Sequence, residues 1–171
     1  MSSNPPRVVD VLAPGGWSGP VADRVTLDYD GRHRRSIVLT ADRGVRFLLD
    51  FQHSRLLPGG AALELEDGRL IEVIAEPEAL LEVRAADGPA LLKLAWHIGN
   101  RHLAAQIFED RILIRRDHVI ADMLVGLSGR VREVVAPFDP EGGAYGAAHQ
   151  AHDHGHEHDH GHHHHGHAHD H

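Results

Sequence analysis

The sequence predicts an α+β fold, with two folded modules followed by a disordered tail, and three observations carry that reading. Short alternating strands separated by Asp-Gly turns fill the first half. The apolar period then lengthens twice to helical spacing, each time between strand-like runs. Finally, the last 23 residues hold 13 of the 18 histidines and no Lys, Arg or Cys.

Residues 1–20 are rich in Pro and Gly and are expected to form a loosely ordered N-terminal segment. Residues 21–75 read as an all-β domain. Strand-like runs at 25–29, 36–40 and 45–49 are separated by Asp30-Gly31 and by Asp42-Arg43-Gly44. Residues 62–66 alternate cleanly, and Asp67-Gly68 turns the chain into a further run at 69–74. Asp-Gly suits a tight hairpin because glycine adopts positive φ without steric cost.

Residues 76–146 read as a second domain. A strand is expected at 79–84. Pro89 then opens a helix with apolar Leu91, Leu94, Ala95 and Ile98, closed by Gly99-Asn100. Proline fits the first turn, where its missing N–H has no partner to lose, and glycine fits the end. Residues 106–108 and 111–115 flank Glu109-Asp110 as a hairpin. Val119, Ile120, Met123, Leu124 and Leu127 recur at helical spacing with Gly129 past the end, and 131–135 is a last strand before Pro137. Strand–helix–strand–strand–helix–strand is the ferredoxin-like (βαββαβ) order, with two helices on one face of an antiparallel sheet.

Residues 147–171 form the His-rich tail. It has no large apolar side chain to offset the entropy of ordering it, so disorder is expected. Its density of imidazoles suits nickel, and also zinc and copper, because neutral imidazole is a common ligand of borderline divalent metals. Asp153, Glu157, Asp159 and Asp170 are interleaved with Gly and Ala, and only residues 162–165 are an unbroken His run, unlike a purification tag. His156 to His160 matches the H-E-x-x-H pattern of zinc proteases. That motif needs a buried helix, and here Gly155 and Gly161 flank it, so the match is an accident of composition.

The formal charge of −8 is spread along the chain. All 17 basic residues precede position 149 together with 21 of the 25 acids, leaving −4 on the body and −4 on the tail. A mildly acidic, aromatic-poor body argues against a nucleic-acid partner. The absence of cysteine excludes disulfides, thiolate metal sites and thiol nucleophiles, so any metal must be held by His and carboxylate. The N-terminus lacks the apolar core of a signal peptide, and no run approaches the ~18 apolar residues of a membrane span. A cytoplasmic protein with no membrane association is expected.

Five histidines lie outside the tail. His33 and His53 read as surface residues. His97, between Trp96 and Ile98 on the expected helix, reads as a packed or capping side chain. His102 follows Gly99-Asn100-Arg101 just past that helix, where an exposed imidazole projects from a rigid element; ligand and plain surface residue are both open from position alone.

Trp96-His97-Ile98-Gly99-Asn100-Arg101-His102 resembles the (Y/W)-H-(L/I)-G-N-R-H signature of the UreE family, the urease accessory nickel metallochaperones. Residues 116–124 (Arg-Asp-His-Val-Ile-Ala-Asp-Met-Leu) and 136–145 (Ala-Pro-Phe-Asp-Pro-Glu-Gly-Gly-Ala-Tyr) are similar to two further segments of that family, in the same order, ahead of a His-rich C-terminus. The resemblance implies an N-terminal all-β domain that docks partners and a ferredoxin-like domain for metal binding and dimerisation. It also implies that His102 from each subunit of a homodimer shares one Ni(II). Histidines after the Gly-Ala-Tyr segment, here His149, His152 or His154, would complete the site, with His156, His158 and His160 as weaker sites. His118 matches a peripheral His-x-His position of some members, but its partner position is Arg116, a cation that would repel a metal, so a role at a helix start is the expectation.

The function implied is delivery of Ni(II) to apo-urease during metallocentre assembly, with urease accessory proteins including the GTPase UreG as partners. No catalysis is expected, and without a G-x-x-x-x-G-K-S/T loop any GTP hydrolysis belongs to a partner. The rival readings are a general Ni/Zn/Cu buffer or storage protein acting through its tail, and a zinc hydrolase. The second needs three ligands and a positioned base, and the body shows no such constellation. Hydrogenase nickel chaperones can also be His-rich but lack this motif set.

Overall fold

A computed structural model of the chain describes residues 4–142. The first half contains β1 (Val8–Leu12), β2 (Asp23–Leu27), a one-turn helix α1 (Tyr29–Arg32), β3 (His33–Thr40), β4 (Arg46–Leu56), β5 (Ala62–Leu65) and β6 (Leu70–Ala75). Four strands form a sheet in the order β1-β5-β6-β2, and β3 and β4 form a separate ribbon. β2 runs parallel to β6, while the other pairs are antiparallel. Because alternate side chains leave opposite faces of a strand, Phe47 and Leu49 of the ribbon share one core with Val25, Leu63, Leu65, Ile71 and Val73 of the sheet. The Asp67-Gly68 turn closes as expected, with the Leu65 N–H on the Arg69 carbonyl at 2.9 Å and Gly68 at φ +80°.

Three expectations are corrected here. The segment 1–20 is not all loosely held: β1 lies within it, paired with β5, and the Trp17 indole N–H donates to the Gly60 carbonyl at 2.9 Å. Flanking Pro6, Pro14 and Gly15 masked a short edge strand. Asp30-Gly31 is not a hairpin turn either. The Asp28 carboxylate accepts the Gly31 N–H at 2.6 Å and caps α1, so the chain makes a helical turn. That turn carries the chain out of β2 into the ribbon, and β2 pairs with β6 instead of β3. The domain read as all-β at 21–75 thus contains one short helix.

Asp23 pins the sheet to the ribbon's turn. Its side chain is buried and accepts the backbone N–H of Arg24 at 2.8 Å, Arg43 at 3.1 Å and Val45 at 3.2 Å. Burial pushes its carboxyl up, but these hydrogen bonds and the Arg43 guanidinium outweigh it and hold the group below the ordinary carboxylate range.

The second half contains β7 (Glu78–Arg84), α2 (Gly88–Gly99), β8 (Ala105–Ile107), β9 (Ile112–Arg115), α3 (His118–Gly126) and β10 (Arg130–Ala136). The strands form an antiparallel sheet in the order β10-β7-β9-β8. Asp87 and Asp117 cap the helices by accepting the Ala90 and Ile120 N–H groups at 2.8 and 3.0 Å. Leu91, Leu94 and Ile98 of α2 and Leu124 of α3 bury against Leu81, Val83, Ile112 and Ile114. The opposite face carries Leu80 and Leu113, covered by Phe138 and by Tyr29 of α1, whose rings meet edge-on at 5.4 Å. Among the described residues, no helix is long and apolar enough to cross a membrane.

α1 therefore belongs to one half and packs on the other. The Arg115 guanidinium grips the Asp30 carboxylate through two bonds of 3.1 and 3.0 Å, and the Tyr29 N–H donates to Glu78 at 2.9 Å. Arg32, fully buried, donates to the Leu57 carbonyl at 3.1 Å, to the Asp139 carboxylate and to the Phe138 carbonyl. Asp139 also accepts the Gly59 N–H at 3.0 Å.

Asp23→Ala should lower stability by about 2–4 kcal/mol, since three buried N–H groups lose their acceptor; denaturant unfolding measures it. The pH dependence follows from the depressed pKa. Asp23 contributes stability above the unfolded carboxylate value of about 3.9, and the contribution is lost as pH falls through the lower folded value. In melts below about pH 4 the parent should lose stability faster than the Ala variant. Parallel curves would remove Asp23 from this role.

Candidate metal centre

His102 sits at the end of a rigid lever. α2 is capped at its start and buried along one face, and its last turn continues into a tight loop through Asn100 N–H to the Trp96 carbonyl (3.0 Å), Arg101 N–H to Ile98 (3.1 Å) and His102 N–H to Gly99 (2.9 Å). The Arg101 guanidinium returns to the His97 carbonyl at 3.1 Å and ties the loop to the helix. At its end His102 is exposed and has φ +55°. Left-handed backbone costs an L-residue about 1–2 kcal/mol and is ordinarily given to glycine. A histidine in this position carries backbone strain that a glycine would not.

The remaining histidines separate by surroundings. His97 is half-buried with its ring edge-on to Trp96 at 5.0 Å, consistent with a packed residue. His118 is the exposed first residue of α3, and Arg116 beside it is paired with Glu133 at 2.9 Å. His33 and His53 are exposed on the ribbon. His149, His152, His154, His156, His158 and His160 lie outside the described residues. Among the described residues no three His, Cys, Asp or Glu side chains are grouped to hold a metal, so His102 stands here as a single donor.

The outer side of α2 carries exposed apolar side chains. Trp96 and Leu92, on the outer side of α2, are 63% and 72% exposed, and Ile107 of β8 is 54% exposed. Leu92, Ala95, Ile107 and Phe108 line a groove between α2 and the β8–β9 hairpin. On the sheet's other face, Glu82 is held below its ordinary range by hydrogen bonding to Arg84, with Arg132 adding to the effect. That carboxylate is engaged by guanidinium partners.

The N-terminal domain model of the UreE urease accessory protein matches residues 8–76, and the C-terminal domain model matches 78–171. The chain belongs to the UreE family. A urease accessory protein UreE of Rhodopseudomonas palustris (strain HaA2) is 59% identical over 134 residues, 78% of this chain and 62% of the relative. UreE of Chelativorans sp. (strain BNC1) is 60% identical over 131 residues, covering 76% and 83%, and that of Ruegeria pomeroyi 54% over 141 residues, covering 82% and 92%. The chain thus spans less than two thirds of the first of these relatives and most of the other two. UreE is a family of accessory proteins, not of enzymes.

The sequence motif pointed to His102, but its strained backbone and the buried Arg32 were not foreseen. The only available cue for Arg32 was its place after a capping Asp28, which read equally well as a hairpin.

His102→Gly should raise the stability of the metal-free chain by about 1 kcal/mol through relief of the left-handed strain. Thermal melting checks this. A lower melting temperature than the parent would show that the loop carries no such strain.

Proposed function

We propose that this chain binds Ni(II) as cargo and delivers it to apo-urease during assembly of the urease metallocentre, acting as a cytoplasmic homodimer with the other urease accessory proteins, including the GTPase UreG. The observation that carries the reading is His102, an exposed imidazole in strained backbone within the Trp-His-Ile-Gly-Asn-Arg-His motif. One imidazole is too little for a stable site, since borderline metals take four or more donors. A two-fold axis supplies a second copy of His102, and the exposed Trp96 and Leu92 on the helix that leads to it are suited to being covered by that copy. His149, His152 and His154 supply further donors in this reading. The strand order β10-β7-β9-β8, with both helices on one face, supports the ferredoxin-like reading of 76–146.

All-imidazole ligation suits a carrier. It holds nickel firmly while leaving it open to competition by protons and by a recipient's ligands. The alternative, a general Ni/Zn/Cu buffer working through the tail alone, gives the body no part in affinity and is separable by experiment.

Truncation after Ala148 should leave a folded dimer that has lost most of its nickel ions but keeps one at the paired His102 side chains, held less tightly than in the full chain. Adding His102→Ala to that truncated chain removes two donors from one shared site, and calorimetry should show that nickel gone. Its retention after that substitution would sink the assignment and favour the buffer.

Nickel loading of the full chain should fall as pH drops through about 6.5, where protons take the imidazole lone pairs. Equilibrium dialysis across pH 5 to 8 reads this; undiminished loading at pH 5 would point to carboxylate or backbone ligands.

A further inference from the structure

The ribbon of β3 and β4 carries an unbalanced charge. Residues 33–56 hold five arginines and two acids, a net of +3, whereas the body as a whole is at −4, so the rest of it carries −7. Both acids are engaged: Asp42 accepts the Thr26 hydroxyl at 2.7 Å, and Asp50 meets Arg7 at 3.0 Å. Arg43 pairs with Asp23, but Arg34, Arg35, Arg46 and Arg55 have no carboxylate within ion-pair reach among the described residues. Arg34 and Arg55 stand directly opposite each other across the ribbon, a like-charge pair that costs stability while nothing neutralises it. The Arg34 Nε donates to the Gly31 carbonyl at 3.0 Å and the Arg55 guanidinium lies 5.3 Å from the centre of the Phe51 ring, so both are held in place yet keep their charge. Beyond this pair the register slips, and exposed Arg35 alone matches residues 51–54 of β4.

β3 is also an open edge. It pairs with β4 and with no other strand, and among the described residues no backbone hydrogen bond joins residues 34–40 to a segment outside the ribbon. Such an edge accepts an extended segment as a further strand. Ile37 and Leu39 turn into the core, which leaves Ser36, Val38 and Thr40 on the outer face, with Val38 43% exposed. An added strand would therefore meet arginines at one end of β3 and an apolar side chain near its middle. Charged side chains commonly guard a sheet edge against unwanted pairing. A guard of one sign repels a second copy of itself and admits a strand of the opposite sign.

We propose that the β3 edge, with Arg34, Arg35 and Arg55 beside it, docks an extended acidic segment of a partner protein, which adds to the ribbon as a third strand. Carboxylates of that segment neutralise the guanidinium groups, and an apolar residue in it covers Val38. A protein segment suits the edge better than a nucleic acid, which has no repeating N–H and C=O groups to pair with a strand. The inference deepens the accessory-protein reading by naming a docking face and the chemistry of what docks there. It involves no metal, so it stands or falls apart from the nickel assignment.

The test uses the full, metal-free chain with a chelator present at about pH 8, where imidazole is neutral. One probe is a fluorescent peptide of Glu, Thr and Val, about twelve residues long so as to span the strand. A second is the same peptide with prolines in place of alternate Thr residues, equal in charge but short of backbone donors. The others are a single-stranded oligonucleotide and vesicles of equal phosphatidylserine and phosphatidylcholine. Anisotropy should show the acidic peptide bound and the proline peptide at least about fivefold weaker. Arg35→Glu should weaken the acidic peptide about fivefold, by turning a cross-strand attraction into repulsion. No binding of the acidic peptide up to about 1 mM, equal binding of the two peptides, or no effect of Arg35→Glu overturns the proposal. Tighter binding of the oligonucleotide or the vesicles overturns it as well. Should Arg35→Glu unfold the chain, the comparison of the two peptides on the parent decides alone.

Discussion

The buried Arg32 guanidinium is the contact on which the arrangement of the two halves depends. One side chain reaches the Leu57 carbonyl in its own half and Asp139 and the Phe138 carbonyl in the other. Burying a cation carries a desolvation cost of several kcal/mol that only well-made partners offset. Removal of Asp139 would leave a charge in the interior, so the pair stands or falls together. The short helix α1 exists in order to present it. Asp28 caps the turn, Tyr29 covers Phe138, Asp30 binds Arg115 and Arg32 enters the core, so each of these residues in succession has a distinct task.

The two faces of the second sheet solve different problems. The helix side is apolar and supports the loop that carries His102. The other side is divided between an apolar end, closed by Phe138 and Tyr29, and a polar end where Glu82 and Asp110 bind Arg84, Arg111 and Arg132. Most of those guanidinium pairs are partly in solvent and contribute little individually. Their value is local geometry: Arg84 joins β7 to the β8–β9 hairpin through Asp110. The hairpin is thereby braced from the face opposite the two helices.

The regular elements were legible because period, cap and turn agreed. Pro89, the apolar spacing of α2 and Gly99 point to the same helix, and Asp67-Gly68 between alternating runs leaves one hairpin. β1 was hidden because its neighbours are Pro and Gly and because an edge strand needs apolar residues on one face only; Val9 is exposed while Val8 is buried. α1 was hidden because a capped turn and a hairpin turn use the same Asp and Gly. Arg32 was invisible for a deeper reason. Nothing in a sequence distinguishes a solvated arginine from one buried by residues more than a hundred positions away. His102 was visible through its motif, whereas its backbone strain is a property of three dimensions.

After β10 the chain runs beside β8 at residues 139–141, and this has a bearing on how copies of this chain can meet. An edge strand presents unpaired N–H and C=O groups that invite another strand to add. Here the outward Ala105 carbonyl and Ile107 N–H are already taken by Glu141. The opposite edge, β10, carries exposed Arg130, Arg132 and Glu133, charges that discourage a second sheet from aligning there. Continuous β-sheet growth from molecule to molecule is thus closed off at both margins of this half.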